Sequence, residues 1–120
     1  MKKYHAHIYF DLKDLDLAEL LFQKVKAKSE ICRPWKIYNR PVGPHPKPML
    51  ELHFQSQTRD HVVAWLKENL GSWSALVHED SGDDYRDHTE GHLWLGPELP
   101  IDFGFFQLIQ QDPTQAIHQN

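Results

Sequence analysis

Nine of the 120 residues are histidines, and the spacing of several points to metal chemistry. His5 and His7 alternate with Tyr4, Ala6 and Ile8. On a β-strand, where successive side chains leave opposite faces, that spacing sends both imidazoles to one side. Glu51 and His53 alternate in the same way within Met49 to Phe54, and His78 closes a third such run beginning at Trp73. Neutral imidazoles and a carboxylate held on rigid neighbouring strands are the donor set of a divalent transition metal. The candidate ligands are His5, His7 and His78, with Glu51 as an alternative third ligand. Three histidines, or two histidines and a carboxylate, would both leave coordination positions open for other molecules. His53, toward a strand end, His61, on a polar helix face, and His118, near the C-terminus, have ordinary explanations as exposed residues and are left out of the set.

The elements that must position these residues can be read from hydrophobic periodicity. Tyr4 to Phe10 predicts a strand with Ala6 and Ile8 on an apolar face and His5, His7 and Tyr9 opposite. Asp16-Leu17-Ala18-Glu19 reads as a capping box, opening a helix that carries Ala18, Leu21, Phe22 and Val25 and ends near Ser29. Trp35 to Arg40 alternates again, with Trp35 and Ile37 on one side and Lys36, Tyr38 and Arg40 on the other. The prolines at 41, 44, 46 and 48 then forbid regular pairing and predict a stiff loop. Met49 to Phe54 is a third strand with Leu50, Leu52 and Phe54 toward the core.

Thr58 is placed to cap a second helix carrying Val62, Trp65, Leu66 and Leu70, with Gly71 as its left-handed terminator. Trp73 to His78 forms a fourth strand, Glu79 to Asp87 a polar acidic loop and His92 to Leu95 a short fifth strand. Leu99 to Ile109 is apolar enough to pack. The order strand, helix, strand, strand, helix, strand is the α+β, ferredoxin-like split β-α-β pattern, an antiparallel sheet with both helices on one face. Residues 1–111 are expected to form one domain with a C-terminal extension, and 112–120 a flexible tail.

In that topology the first strand lies between the third and fourth, so the histidine-bearing faces meet on the side the helices leave bare. That side needs a cover, from the C-terminal segment, a second subunit or a ligand-filled cavity. The loop of residues 41–48 starts at the far end of strand one from His5. His45 must therefore be carried back over the sheet or across to a neighbouring subunit.

A formal net charge of −4 with dispersed lysines and arginines argues against nucleic acid as a partner and for small molecules. The single cysteine, Cys32, excludes an intramolecular disulfide and a cysteine-based zinc knuckle and suits a reducing compartment. No apolar run is long enough for a signal peptide or membrane span, so a cytoplasmic protein with no membrane partner is expected.

Three segments together resemble the DOPA 4,5-dioxygenase family. They are Tyr4-His5-Ala6-His7-Ile8-Tyr9-Phe10, then Arg40-Pro41-Val42-Gly43-Pro44-His45-Pro46, then His78 through Gly82-Asp83 and Asp87-His88-Thr89 to Trp94-Leu95-Gly96. After the third-segment histidine the chain has Glu79-Asp80-Ser81, where the family often shows a proline and a threonine; this bears on substrate fit more than on metal binding. The resemblance implies extradiol cleavage of a catechol such as DOPA, with Fe(II) as cofactor and O2 as co-substrate; a homodimer is also expected. It carries over onto His45 and His88, whose imidazoles would move protons during the reaction. Arg40, beside Tyr38, would bind the carboxylate of the substrate, and Tyr9 and Trp94 would line the ring pocket. The ligand types do not separate iron from zinc, so a zinc hydrolase stays open, as does a non-enzymatic small-molecule or metal-binding dimer.

Overall fold

Ala6, Ile8, Leu50, Leu52, Ala75 and Val77 occupy alternate positions of three adjacent strands, and all are buried against the helices. In the computed structural model, which describes residues 2–28, 30–89, 92–102, 104 and 105, these strands are β1 (Lys3–Tyr9), β3 (Met49–Gln55) and β4 (Ser74–Glu79). β2 (Arg33–Tyr38) and β5 (Leu93–Leu95) complete a five-stranded sheet in the order β2-β3-β1-β4-β5, with every neighbouring pair antiparallel. Helices α1 (Leu15–Lys26) and α2 (Arg59–Asn69) lay Ala18, Leu21 and Val25, and Val62 and Leu66, onto the same sheet face. The ferredoxin-like arrangement is present, extended by β5.

The second face is covered by the chain itself. Tyr9, Met49, Leu76 and Ile101 form a smaller apolar cluster with Tyr38, Val42, Trp94, Leu99 and Phe105 packed against it. The proline-rich loop and the segment after β5 therefore both lie on this side. The amide of Asp102 donates to the carbonyl of Pro44 at 2.8 Å, tying the two covers together. The hydroxyl of Ser74 donates to the carbonyl of Pro97, which holds the start of that segment to β4. Residues 112–120 and 106–109 lie outside the described residues, and among those described no helix is long and apolar enough to cross a membrane.

Several local expectations are corrected. Helix α1 begins at Leu15 and ends at Lys26, where the chain tightens into a turn with Lys28 N–H on the Val25 carbonyl at 2.8 Å. Thr58 occupies the N-cap position of α2 without capping it, because its hydroxyl donates to the carbonyl of Ile31 at 2.5 Å. Strand β4 starts at Ser74, one residue after Trp73. The acidic stretch after β4 is not all loop: α3 (Asp84–Thr89) forms within it, its entry fixed by the carboxylate of Asp87, which accepts from the amide and hydroxyl of Ser81 at 2.9 and 2.6 Å.

The largest correction concerns Trp35. The pairing of β2 with β3 shifts between Pro34 and Lys36, a β-bulge that re-aims the side chain between them. Trp35 consequently leaves the side of Ile37 and stacks on His53, ring centroids 4.4 Å apart, on the helix-free face.

Gly96 ends β5 at a φ of 75°, and a Cβ built there would lie 2.8 Å from the carbonyl oxygen of Trp73; at Gly71, φ 59°, a Cβ would meet nothing within 4 Å. Gly71→Ala should therefore cost only backbone strain, about 1–2 kcal/mol. Gly96→Ala adds a backbone clash and should cost about 1–3 kcal/mol more in urea unfolding. Equal losses would contradict the close approach of β5 to Trp73.

Candidate metal centre

The register of β1 builds the site. His5 lies opposite His53 on β3 and opposite His78 on β4, while His7 lies opposite Glu51 and Leu76. Directly opposed residues of antiparallel strands project from the same face, so four imidazoles and a carboxylate converge on the side away from α1 and α2. Diagonally across β1 and β4, the Nε2 atoms of His7 and His78 stand 2.8 Å apart. Nitrogens bound to one cation at about 2.1 Å would lie about 3.0 Å apart in octahedral and about 3.4 Å in tetrahedral geometry, a small widening of this spacing. His5 completes the group, since one ring nitrogen from each of His5, His7 and His78 lies within 4.8 Å of the others.

Two further histidines close over these from outside the sheet. His45 is brought by the proline-rich loop, which turns back through a His45 N–H to Val42 carbonyl bond of 3.0 Å. Its ring lies 4.3 Å from that of His7, and its Nδ1 is 2.8 Å from the hydroxyl of Tyr9. The loop thus folds over the sheet of its own chain. His88, on α3, lies 4.3 Å from His78 and 5.4 Å from His45 between ring centroids. His7, His45 and His88 form a second group of potential ligands, and His5, Glu51 and His53 a third.

Burial decides the charge of the cluster. His5, His7, His45, His78 and His88 are each 4% exposed or less, and His7 and Glu51 are fully enclosed. The pKa of His7 is held well below the usual histidine value, first by burial and then by the neighbouring His45, His78, His88 and His5. That of His78 is also lowered, by burial and then His88, against a partial opposing effect of its hydrogen bond to the Glu79 carbonyl. Both are neutral at pH 7, the form a metal requires.

The tautomers bear on whether a cation fits. Nδ1–H of His78 donates to the carbonyl of Glu79 at 2.8 Å, which leaves the lone pair on Nε2, so His7 must be the Nε2–H donor in their contact. The buried Nδ1 of His7 then makes no hydrogen bond. A cation replacing the shared proton would return the His7 proton to Nδ1, which faces Oε1 of Glu51 at 4.0 Å. A carboxylate behind a ligating imidazole is a common device for orienting the ring, and the residues present fit a divalent metal.

Glu51 itself sits closest to His53, 2.6 Å from its Nε2, a short contact of the charge-assisted kind. Its other expected neighbours are farther, so it stands with His5 and His53 and behind His7. His53, which the sequence reading set aside as exposed, is stacked between His5 at 4.0 Å and Trp35 at 4.4 Å. Its shared alternation with Glu51 was the available signal. Tyr9 and Trp94 stack at 5.9 Å within the second apolar cluster, and burial pushes the Tyr9 hydroxyl far above its ordinary pKa. The Tyr38 hydroxyl is pushed up to about 12 by burial and then by Glu51, on the same face. Arg40 lies in a groove with Lys36, Tyr38 and Asn39 whose lining contains no histidine.

A ferredoxin-like sheet with a buried cluster of imidazoles on its helix-free face defines an α+β protein able to hold a metal there. Comparison with known proteins narrows the class: the model of the Dopa 4,5-dioxygenase family matches residues 4–105, and the chain belongs to that family. It is 30% identical, over 90% of its length, to an "Uncharacterized 21.2 kDa protein" of Botryotinia fuckeliana, and 29% identical, over 84%, to a "DOPA 4,5-dioxygenase" of Amanita muscaria. The alignments span 65% and 48% of those two relatives. A crystal structure from Nostoc punctiforme, described as a "putative dioxygenase", superimposes with a TM-score of 0.76 at 32% identity, covering 91% of this chain and 94% of that one.

The depressed values of His7 and His78 set a pH dependence. Below about 6.5 the unfolded chain takes up protons that the folded, metal-free cluster refuses. Their contribution to stability is complete above that pH and lost as the pH falls toward the folded values. Thermal melts of metal-free protein should show Tm level near pH 7.5 and falling through pH 6. A Tm that rises on acidification would contradict neutral burial.

Proposed function

We propose that the chain is a metal-dependent extradiol dioxygenase that opens the ring of a catechol such as DOPA with O2, using Fe(II) held by His5, His7 and His78. The observation that carries this reading is the 2.8 Å approach of the His7 and His78 Nε2 atoms, with His5 in the same group, on neighbouring strands of a chain in the Dopa 4,5-dioxygenase family. Bound iron would supply a centre at which catecholate and oxygen meet and exchange electron density.

The chain's own groups serve the proton transfers. The Tyr9 hydroxyl, kept protonated by its burial, holds His45 through Nδ1 and leaves Nε2 as the nitrogen that exchanges a proton with a catechol hydroxyl. His88 lies against His78 and 5.4 Å from His45 between ring centroids, where a second imidazole can return a proton to the opening ring. Glu51, whose Oε1 faces His7 Nδ1 at 4.0 Å, would receive the Nδ1 proton once Nε2 binds the metal. The apolar cover formed by Trp94, Leu99 and Ile101 excludes water from this side of the sheet.

Zinc with hydrolytic chemistry is the alternative that an all-nitrogen donor set also suits. Loading with iron under argon, followed by exposure to catechols in air, decides between them: the proposal expects oxygen uptake and a yellow ring-opened product. Stoichiometric zinc with no oxygen uptake from the iron-loaded protein would reject it. His7→Ala should keep the circular dichroism of the fold while iron binding and turnover fall about 100-fold or more. Retained turnover would remove His7 from the ligand set.

A further inference from the structure

The polar end of the substrate has a more suitable seat than Arg40. A cleft of about 500 Å³ opens at the start of β1, bordered by His5 and His53 and rimmed by Lys3, Arg33, Glu30 and Asp80. Its size falls in the range of roughly 300–1,000 Å³ typical of small-molecule sites. His5 belongs both to this wall and to the group formed with His7 and His78, so the cleft adjoins the candidate metal centre directly.

Arg33 is paired with His53 across β2 and β3, which places both side chains on the helix-free face. The same bulge that re-aims Trp35 puts the indole beneath the guanidinium, 5.3 Å from ring to Cζ, and against His53. Trp35 thereby supports Arg33 at the rim by a cation–π contact. Among the described residues Arg33 makes no ion pair, in contrast to Lys2, Lys47 and Arg59. Its planar fork remains available for a carboxylate. Across the rim, Glu30 and the half-exposed Asp80, whose Oδ2 is 3.4 Å from His5 Nε2, supply negative charge.

We infer that this cleft seats the α-amino acid end of that catechol, with Arg33 as the specificity-determining residue that receives the carboxylate and the acidic rim receiving the ammonium group. This rests on the dioxygenase reading given above and assigns to Arg33 the contact first expected of Arg40.

The test compares iron-loaded wild type, Arg33→Gln and Arg40→Gln on L-3,4-dihydroxyphenylalanine and on 4-methylcatechol, which has no charged end. The ratio of kcat/KM for the amino acid over 4-methylcatechol should fall tenfold or more in Arg33→Gln and stay within twofold in Arg40→Gln. An unchanged ratio in Arg33→Gln, or a collapse in Arg40→Gln, overturns the inference. Calorimetric titration of the amino acid and of dopamine under argon gives a readout independent of turnover. Arg33→Gln should weaken amino-acid binding at least tenfold, and wild type should prefer the amino acid to dopamine. If no catechol is consumed, the dioxygenase reading fails while the calorimetry still decides. Equal amino-acid affinities in wild type and Arg33→Gln, or no binding to wild type, overturns the cleft assignment.

Discussion

Five imidazoles and a carboxylate are buried together on one face of the sheet, and the rest of the structure answers to that constraint. His7 and His78 cannot readily carry charge there, because a proton added to either would be both desolvated and repelled by the neighbouring imidazoles. They can remain neutral and hydrogen-bonded to one another, as His7 is to His78, or share a cation. Glu51, the fully enclosed acid, is met by His53 on one oxygen and faced by His7 on the other. The Glu51 carboxylate thus lends the neutral imidazoles negative charge beside which a divalent cation would be favoured.

Everything that assembles the cluster is backbone geometry that the apolar core fixes independently. Ala6, Ile8, Leu50, Leu52, Ala75 and Val77 lock the strand registers from the helix side, and a slip of β1 by one residue would turn His5 and His7 toward α1 and α2. The hydrophobic face thus specifies the histidine face without touching it. Covering the centre falls to irregular segments: the proline-rich loop carries His45, the short α3 carries His88, and Leu99 and Ile101 seal one side. Rigid strands hold the proposed ligands and the covers hold the proposed proton carriers, a division that lets the acid–base groups vary without disturbing the sheet.

The alternation of residues 4–10, 49–54 and 74–78 was legible in the sequence because strand period and burial agree there, and with it the sheet order and the shared face of His5, His7, Glu51 and His78. Four features were hidden for identifiable reasons. The bulge at Trp35 is a tertiary adjustment of pairing that leaves no periodic signature, so its indole and Arg33 were assigned no role at the site. Helix α3 spans six residues in an acidic stretch and depends on Asp87 bonding Ser81, a contact that composition alone reads as a loop. His53 was masked by its position near a strand end, where only its stacking between His5 and Trp35 shows that it belongs with the cluster. The placement of His45 followed from neither periodicity nor spacing, because the return of its loop is set by Pro44 meeting Asp102 across the face.

The central claim is that imidazoles from β1 and β4 share one cation. X-ray absorption at the iron edge of anaerobically loaded protein tests it without recourse to catalysis. The account predicts a first shell at about 2.1 Å with the outer-shell scattering of about three imidazole rings, decreasing by one ring when His78 is replaced by alanine. A shell of oxygen ligands without imidazole scattering, or a spectrum unaltered by that replacement, would contradict it.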